Sequence, residues 1–148
     1  EHWGEVPRRE LEEAYRRAGA RLLVDAAHQV SSALTVYATD DGLGGSPAPL
    51  SSVDSPARVL LSHSPAFVDQ AKPPSRPFDL CLSGHTHGGQ LRLVTLTPWL
   101  PPGSGRFVSG WYATRLGPLY VSRGIGTSVV PARFFCRPEL ALFRLVRG

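Results

Sequence analysis

The sequence has 148 residues, of which 42% are hydrophobic and 19% are charged, and these values are typical of one globular domain. No apolar run approaches the roughly 20 residues of a membrane-spanning helix, and the first residues do not resemble a secretion signal. The formal net charge of +4 comes almost wholly from arginines scattered along the chain, and the lack of a dense basic tract disfavours nucleic acid as a partner. Two cysteines, Cys81 and Cys136, are too few for a disulfide framework.

The first third of the chain predicts a helix followed by short strands. Residues 5–19 favour a helix, since Pro7 suits its first turn, Gly19 suits its end, and apolar residues recur on one face. We expect the opposite face, rich in Glu and Arg, to be solvated. Strands are predicted next at residues 21–24, 28–30 and 34–38, and residues 40–56, rich in Gly, Pro and Ser, predict a loop.

The middle of the chain predicts a buried unit of strand, helix and strand. Residues 59–61 and 80–82 are short, wholly apolar runs, and residues 66–71 between them favour a short helix. This order indicates two parallel strands that are buried on both faces. Ligands of such sheets bind beyond the carboxyl ends of the strands, and both of these runs lead into histidines.

The last third predicts an irregular stretch and then more strands. Residues 93–105 are apolar and rich in proline, and strands in an antiparallel arrangement are predicted at residues 117–123, 133–136 and 139–146. Large apolar side chains in or near the proline-rich stretch either belong to the core, which we favour, or form a lip for a lipid-like group or a membrane surface. They are Trp99, Leu100, Phe107, Trp111 and Tyr112.

Three histidines follow the two buried apolar runs. His63 comes shortly after the first run, and His85 and His87 lie in a glycine-rich segment after the second. Glycine permits positive φ and close backbone approach, so a compact loop could direct both rings inward. For the His-x-His pair alone, a polar turn is the alternative to metal binding. Because all three histidines should meet at one edge of the sheet, they predict a site for divalent metal.

Several segments resemble the calcineurin-like metallophosphoesterases. They include Leu-Leu-Ser-His-Ser-Pro at residues 60–65 and Ser-Gly-His-Thr-His-Gly-Gly-Gln at residues 83–90. Residues 117–128, with Pro131 and Arg133 beyond them, are similar to the C-terminal signature of a bacterial phosphodiesterase branch that includes transmembrane proteins with a metallophosphoesterase domain. The resemblance implies that residues 1–148 are the C-terminal part of one α/β domain, the C-terminal half of a two-sheet sandwich with flanking helices.

The resemblance also implies roles for single residues. His63 and His85 would bind one of two divalent metal ions (Mn, Fe, Zn or similar), and His87 the other. Glu1 resembles the acid after the family's Gly-Asn-His motif and would orient the histidine that protonates the leaving group; alternatively it is an exposed terminus. The upstream Asp-x-His, Gly-Asp and Gly-Asn-His motifs have no convincing counterpart here, so the bridging aspartate and the other ligands are expected from a missing N-terminal half.

The implied function is metal-dependent hydrolysis of phosphate esters, with diesters ahead of monoesters. A lipid-linked pyrophosphate is one substrate hypothesis, and a membrane-associated or exported bacterial protein is the expected setting. Arg123 and Arg133 either face a phosphate or form structural ion pairs. Since three histidines are too few ligands for two ions, this chain alone should bind metal weakly and be inactive. The alternatives are a non-catalytic metal-binding or partner-binding remnant of the same fold, and a basic nucleic-acid-binding module.

Overall fold

Six strands form one mixed sheet in the computed structural model, which describes residues 7–50, 54–93 and 99–146. The strands are β1 (Ala26–Ser31), β2 (Leu34–Ala38), β3 (Ala57–Ser62), β4 (Leu80–Ser83), β5 (Gly110–Thr114) and β6 (Gly117–Val121). Two α-helices, α1 (Arg8–Arg17) and α2 (Ala66–Gln70), and a 3-10 turn at His87–Gly89 complete the regular structure within these ranges.

The sheet has a parallel centre and antiparallel edges. Its order is β1-β2-β3-β4-β6-β5, in which β2, β3, β4 and β6 are parallel while β1 and β5 are antiparallel to their neighbours. The predicted unit of strand, helix and strand is confirmed as β3, α2 and β4, where α2 belongs to the crossover that a parallel pair requires. The α/β class is therefore confirmed, whereas the described residues contain one sheet and not the two of a sandwich.

The core lies on one face of this sheet. A row of neighbouring side chains crosses the face in register, from Tyr37 through Leu60 and Cys81 to Leu119. The side chains that cover the row are Val68 of α2 together with Phe78, Phe107 and Leu116. The thiol of Cys81 is fully buried in this row, and burial raises its pKa to about 12. Each fully buried large apolar side chain contributes about 1.5–3 kcal/mol to stability, so this row dominates the packing.

The opposite face of the sheet is apolar and only partly covered. Leu61 of β3, Tyr120 of β6 and Trp111 of β5 lie in register on this face. Leu61 and Trp111 are exposed. We call this surface the open face. A sheet with parallel strands normally has both faces buried, so the open face is unusual for a parallel centre.

The predicted strand at residues 139–146 is wrong, although its alternating pattern has a physical counterpart. These residues form no strand, because the segment crosses the open face instead of pairing at an edge of the sheet. Phe143 packs on Tyr120, with ring centroids 5.1 Å apart. The alternate side chains Leu140 and Leu142 point outward and are 90% and 96% exposed.

Other sequence predictions need correction as well. Residues 21–24 and 133–136 are not strands. The first segment is followed by Asp25, whose φ of 47° bends the chain directly before β1. The second contains Phe135, whose φ of 48° does not belong to extended chain. Strand β5 was not predicted, because its residues follow the proline-rich stretch. The expected antiparallel arrangement holds only for β5 with β6, since β6 runs parallel to β4.

Helix α1 is shorter than predicted, and its apolar side chains do not pack into the core. It spans Arg8–Arg17 instead of residues 5–19, of which residues 5 and 6 lie outside the described part of the chain. None of its residues is buried, so the apolar stripe does not join the core. The solvated polar face is confirmed, since Arg8 and Glu12 form an exposed ion pair of 2.8 Å on it.

Leu60→Ala should lower the free energy of unfolding by about 2–5 kcal/mol, because it empties a fully buried position in the middle of the core row. Leu142→Ala is the matched control, and it should change the same quantity by no more than about 0.5 kcal/mol because this leucine is exposed. Urea denaturation followed by tryptophan fluorescence measures both. Equal losses for the two variants would contradict a core on this face of the sheet.

Candidate metal centre

Parallel strands of the sheet end at a common edge, and the residues that follow them form the candidate site. Strands β3 and β4 end at the paired residues Ser62 and Ser83, and Ser83 pairs in turn with Val121 of β6. The N–H of Gly84 donates to the carbonyl oxygen of His63 at 3.3 Å, which joins the two chain segments just beyond the strands. His63 and the histidine loop, defined as residues 85–90, therefore meet at the edge where ligands of parallel sheets bind.

His63 and His85 form the centre of the site. Nδ1 of His85 lies 3.0 Å from Nε2 of His63, and the ring centroids are 4.7 Å apart with the planes inclined by 64°. His85 is buried whereas His63 is exposed, so the pair opens to solvent on the side of His63. The structure thus brings together two of the three histidines that the sequence singled out.

The second ring nitrogen of His85 determines what this pair can do. Nε2 of His85 lies 2.5 Å from the carbonyl oxygen of Pro102. Because a carbonyl can only accept, Nε2 carries the proton, and Nδ1 presents its lone pair toward His63. Metal-binding histidines commonly hold their remote N–H in this way. Two nitrogens bonded to one ion at about 2.0–2.1 Å and roughly 90–110° lie about 3 Å apart, so the spacing of the pair fits two ligands of one ion.

His87 is not grouped with this pair. It is half-buried at the start of the 3-10 turn. Across residues 7–50, 54–93 and 99–146, no three side chains of His, Cys, Asp or Glu are grouped so that they could hold a metal ion. The family resemblance assigns His87 to a second ion, and this role stays a prediction. The role of Glu1 also stays a prediction, because Glu1 lies outside the described residues.

The histidine loop has an unusual backbone. Five of its six residues have positive φ, among them His85 at 67°, His87 at 50° and Gln90 at 37°. Each such conformation at a non-glycine residue costs about 1–3 kcal/mol and persists only where the surroundings enforce it. Gly88 is required at its position, since a Cβ there would lie 2.8 Å from Sγ of Cys136.

An acidic side chain that the sequence did not mark lies at the same edge. Asp41 follows β2, and its carboxylate accepts hydrogen bonds from the hydroxyl of Ser64 at 3.3 Å and the N–H of Gly44 at 3.0 Å. Burial alone would raise the pKa of Asp41, but the backbone N–H groups of Gly44 and Leu43, the charge of His63 and the Ser64 hydroxyl outweigh burial and lower the pKa. Only the register of β2 with β3 brings Asp41 to this edge, so no motif in the sequence could have found it.

Arg123 and Arg133 make contacts within the chain. Nε of Arg123 donates to the carboxylate of Glu139 at 2.6 Å, and the hydroxyl of Tyr120 donates to the same carboxylate. Arg133 donates to the backbone carbonyl oxygens of His87 and Arg123 at 3.1 and 2.7 Å. The sequence left open whether these arginines face a phosphate or have a structural role, and the contacts favour a structural role for both.

A cavity of about 220 Å³ adjoins the histidine loop. Gly89, Gln90 and Leu91 form one wall, and Trp99 with residues 128–130 forms the rest of the lining. Among the side chains considered for core or lip, Phe107 belongs to the core, whereas Trp99 is 52% exposed at this cavity. Core packing is therefore confirmed for Phe107, and the lip stays a prediction.

Comparison with known proteins identifies several relatives. The chain is 42% identical over 89 residues to the uncharacterised metallophosphoesterase YkuE of Bacillus subtilis, and 39% identical over 101 residues to the phosphodiesterase YaeI of Escherichia coli. The chain is a relative of the metallophosphoesterases. It is also 35% identical over 83 residues to a transmembrane protein with metallophosphoesterase domain of Danio rerio. The family resemblance noted in the sequence is thereby confirmed.

The match covers only part of each metallophosphoesterase. It includes 59%, 68% and 55% of this chain but 30%, 36% and 18% of YkuE, YaeI and the Danio rerio protein. The chain thus spans about a third of the length of the two bacterial relatives. No family model and no solved structure matches it. In the part of the chain that the structure describes, no helix is both long and apolar enough to cross a membrane.

Glu139→Gln should remove a pH-dependent part of the stability. Burial by itself would raise the pKa of Glu139, but hydrogen bonds from Tyr120 and Arg123 and the charge of Arg123 outweigh burial and lower the pKa below its ordinary value of 4.5. A carboxyl whose pKa is lowered by folding stabilises the fold above pH 4.5, and this contribution is lost as the pH falls through the lowered value. The free energy of unfolding should therefore decline less in Glu139→Gln than in the wild type as the pH falls from neutral to well below 4.5. Urea denaturation at several pH values measures this, and identical declines would contradict the role assigned to Glu139.

Proposed function

We propose that this chain supplies the histidine part of a two-metal centre that hydrolyses phosphate esters, with diesters as the main substrates. The observation that carries the proposal is the pair of imidazole nitrogens of His63 and His85, 3.0 Å apart, with the remote N–H of His85 held by a carbonyl oxygen. In a relative of the metallophosphoesterases, such a pair at the carboxyl edge of parallel strands is best explained as two ligands of one divalent ion. His87 would bind a second ion.

The proposed ions are Mn, Fe, Zn or similar divalent metals. When bound, two such ions stabilise the attacking and leaving oxygens of the ester and make a water molecule reactive near neutral pH. The chain itself holds and orients the ligands: the carbonyl oxygen of Pro102 fixes the ring of His85, and the histidine loop sets the direction of both of its rings. Neutral imidazoles leave the centre more positive than carboxylate ligands would, which favours an anionic ester.

The remaining ligands would come from the part of the metallophosphoesterases that this chain does not match. The same part would supply the second sheet of the sandwich, packed on the open face. The exposure of Leu61 and Trp111 on that face, and of Leu142 on the segment that crosses it, supports such a cover. In this arrangement Glu1 would orient the histidine that protonates the leaving group.

A lipid-like ester, including a lipid-linked pyrophosphate, is the finer substrate proposal. The cavity beside the histidine loop supports it, because Leu91, Trp99 and Val129 give the cavity an apolar lining. Its wall begins at Gly89, two residues after His87, so an apolar leaving group there would lie close to the histidines. A membrane surface is the corresponding partner.

A second candidate function is a non-catalytic remnant that binds a metal or a partner. One observation favours it: within the described ranges no third ligand joins His63 and His85. Upstream Asp-x-His, Gly-Asp and Gly-Asn-His motifs in the same polypeptide would favour the enzyme, and their absence would favour the remnant.

Zn²⁺ added to this chain should shift the imidazole ¹⁵N resonances of His63 and His85 together and with weak affinity, because two ligands come from this chain. His28 on the edge strand β1, where it contacts Arg21 at 2.7 Å, is the internal control and should not shift. His85→Gln should abolish the shift of His63, since a single imidazole retains a divalent ion poorly. Histidine-selective NMR measures these changes. If neither the His63 nor the His85 resonances shift at millimolar Zn²⁺, the proposed metal site is refuted.

Hydrolysis of bis(p-nitrophenyl) phosphate separates the enzyme from the remnant. A longer polypeptide that joins this chain to the three upstream motifs should release p-nitrophenol when Mn²⁺ or Zn²⁺ is supplied. His85→Gln should slow it by at least about 100-fold, because a lost metal ligand removes several kcal/mol of transition-state stabilisation. His28→Gln is the control and should retain the rate. Turnover by the 148-residue chain alone would contradict the need for ligands from elsewhere.

A further inference from the structure

We propose that Gln90 and Arg133 are positioning residues, which hold the histidine loop in the conformation that presents His85 and His87 to metal. This inference rests on the proposed function. Neither side chain would bond to the metal or to the phosphate group of the substrate. Their effect would pass through the backbone of the histidine loop.

The loop needs such support because its backbone is unfavourable by itself. His85, His87 and Gln90 all have positive φ, which non-glycine residues adopt only when neighbouring structure enforces it. The 3-10 turn itself contributes two backbone bonds, from the N–H of Gly89 to the carbonyl oxygen of Thr86 at 2.8 Å and from the N–H of Gln90 to the carbonyl oxygen of His87 at 3.1 Å. Further bonds to the far end of the loop come from residues 128–136.

Both the nitrogen and the oxygen of the Gln90 side-chain amide form hydrogen bonds that join the loop to residues 128–130. The amide nitrogen donates to the carbonyl oxygens of Ser128 and Val130 at 3.0 and 2.7 Å, and the amide oxygen accepts the N–H of Ser128 at 2.8 Å. The backbone carbonyl of Gln90 accepts the N–H of Phe134 at 2.9 Å. Gln90 is buried, so its side chain acts as a short piece of paired backbone between two irregular segments.

Arg133 fixes the peptide group that follows His87. Its guanidinium donates to the carbonyl oxygen of His87 at 3.1 Å, and the same oxygen accepts the N–H of Gln90 at 3.1 Å and the thiol of Cys136 at 3.3 Å. The guanidinium also donates to the carbonyl oxygen of Gly126 at 2.9 Å. Several donors on one carbonyl hold the plane of that peptide, which sets ψ of His87 and the positive φ of 63° at Gly88.

The chemistry of both residues explains why close substitutes should fail. A guanidinium spreads its donors over a rigid plane and reaches several carbonyl oxygens at once, which the single ammonium of lysine does not do. A glutamate has the shape of glutamine but would place a carboxylate against two carbonyl oxygens. Neither Gln90 nor Arg133 belongs to the core cluster, so their replacement should loosen the loop without unfolding the sheet.

The test compares Gln90→Glu and Arg133→Lys with Arg106→Lys in the 148-residue chain. Arg106 is the matched control, because its guanidinium bonds to Asp69 of α2 at 2.7 Å and to the carbonyl oxygen of Ala113 of β5 at 3.4 Å. Zn²⁺ is titrated against each protein, and the imidazole ¹⁵N shifts of His63 and His85 give the affinity. We expect affinity to fall by about 10- to 100-fold in the two loop variants, as for other groups that orient metal ligands, and to stay unchanged in the control.

Two further readouts separate positioning from general support of the fold. The Cα and Cβ shifts of His85 and His87 should lose the values of left-handed backbone in Gln90→Glu and Arg133→Lys. Hydrogen exchange of the β3 and β4 amides should stay near the wild-type rates, because the sheet keeps its core.

Three outcomes would overturn the inference. Unchanged Zn²⁺ affinity in both variants would mean that the loop holds its own conformation. A loss of affinity together with faster exchange in β3 and β4 would mean that the two residues support the whole fold. If the wild-type chain shows no Zn²⁺ shifts at His63 and His85, the proposed function fails first, and the positioning role fails with it.

Discussion

The parallel register of β3 and β4 is the constraint on which the candidate site depends. Because Ser62 pairs with Ser83, the residues that follow each strand leave the sheet at the same level, and the rings of His63 and His85 meet. A slip by one residue would turn side chains to the other face, and a slip by two would move one histidine by about 6–7 Å along the strand. The core row fixes this register, since Leu60 and Cys81 must stay buried side by side.

The strained histidine loop shows how the end of the chain takes part in the site. Residues 133–136, for which the sequence predicted a strand, instead form irregular backbone beside the loop, and Gln90 and Arg133 bond residues 126–136 to the histidine loop. Arg123 and Glu139 then fasten this region to β6. The position of the histidines thus depends on contacts between segments that are more than 30 residues apart, as in the bond between Gln90 and Ser128.

The core packs on only one face of the sheet, and the opposite, open face is partly exposed. A sheet with parallel strands loses stability if one face stays in water, and here a single extended segment crosses that face. In the described residues this apolar face is therefore left partly exposed, at Leu61 and Trp111. The two bacterial relatives, YkuE and YaeI, are about three times as long as the stretches that match this chain.

The sequence by itself determined the α/β class, the parallel pair β3 and β4, and the histidines at their carboxyl ends, because short apolar runs and glycine-rich motifs are local signals. It also determined the resemblance to the metallophosphoesterases. It did not determine the edge strand β5, the irregular course of residues 133–146, or the place of Asp41 beside His63, since these depend on what other segments leave uncovered. Only the tertiary structure decided that His63 and His85 pair, and that among the described residues His87 does not join them in a group of three possible metal ligands. The physical reason is that the orientation of each imidazole ring depends on left-handed backbone and on hydrogen bonds to carbonyl oxygens far away in the chain. Neither feature produces a periodic pattern in the sequence.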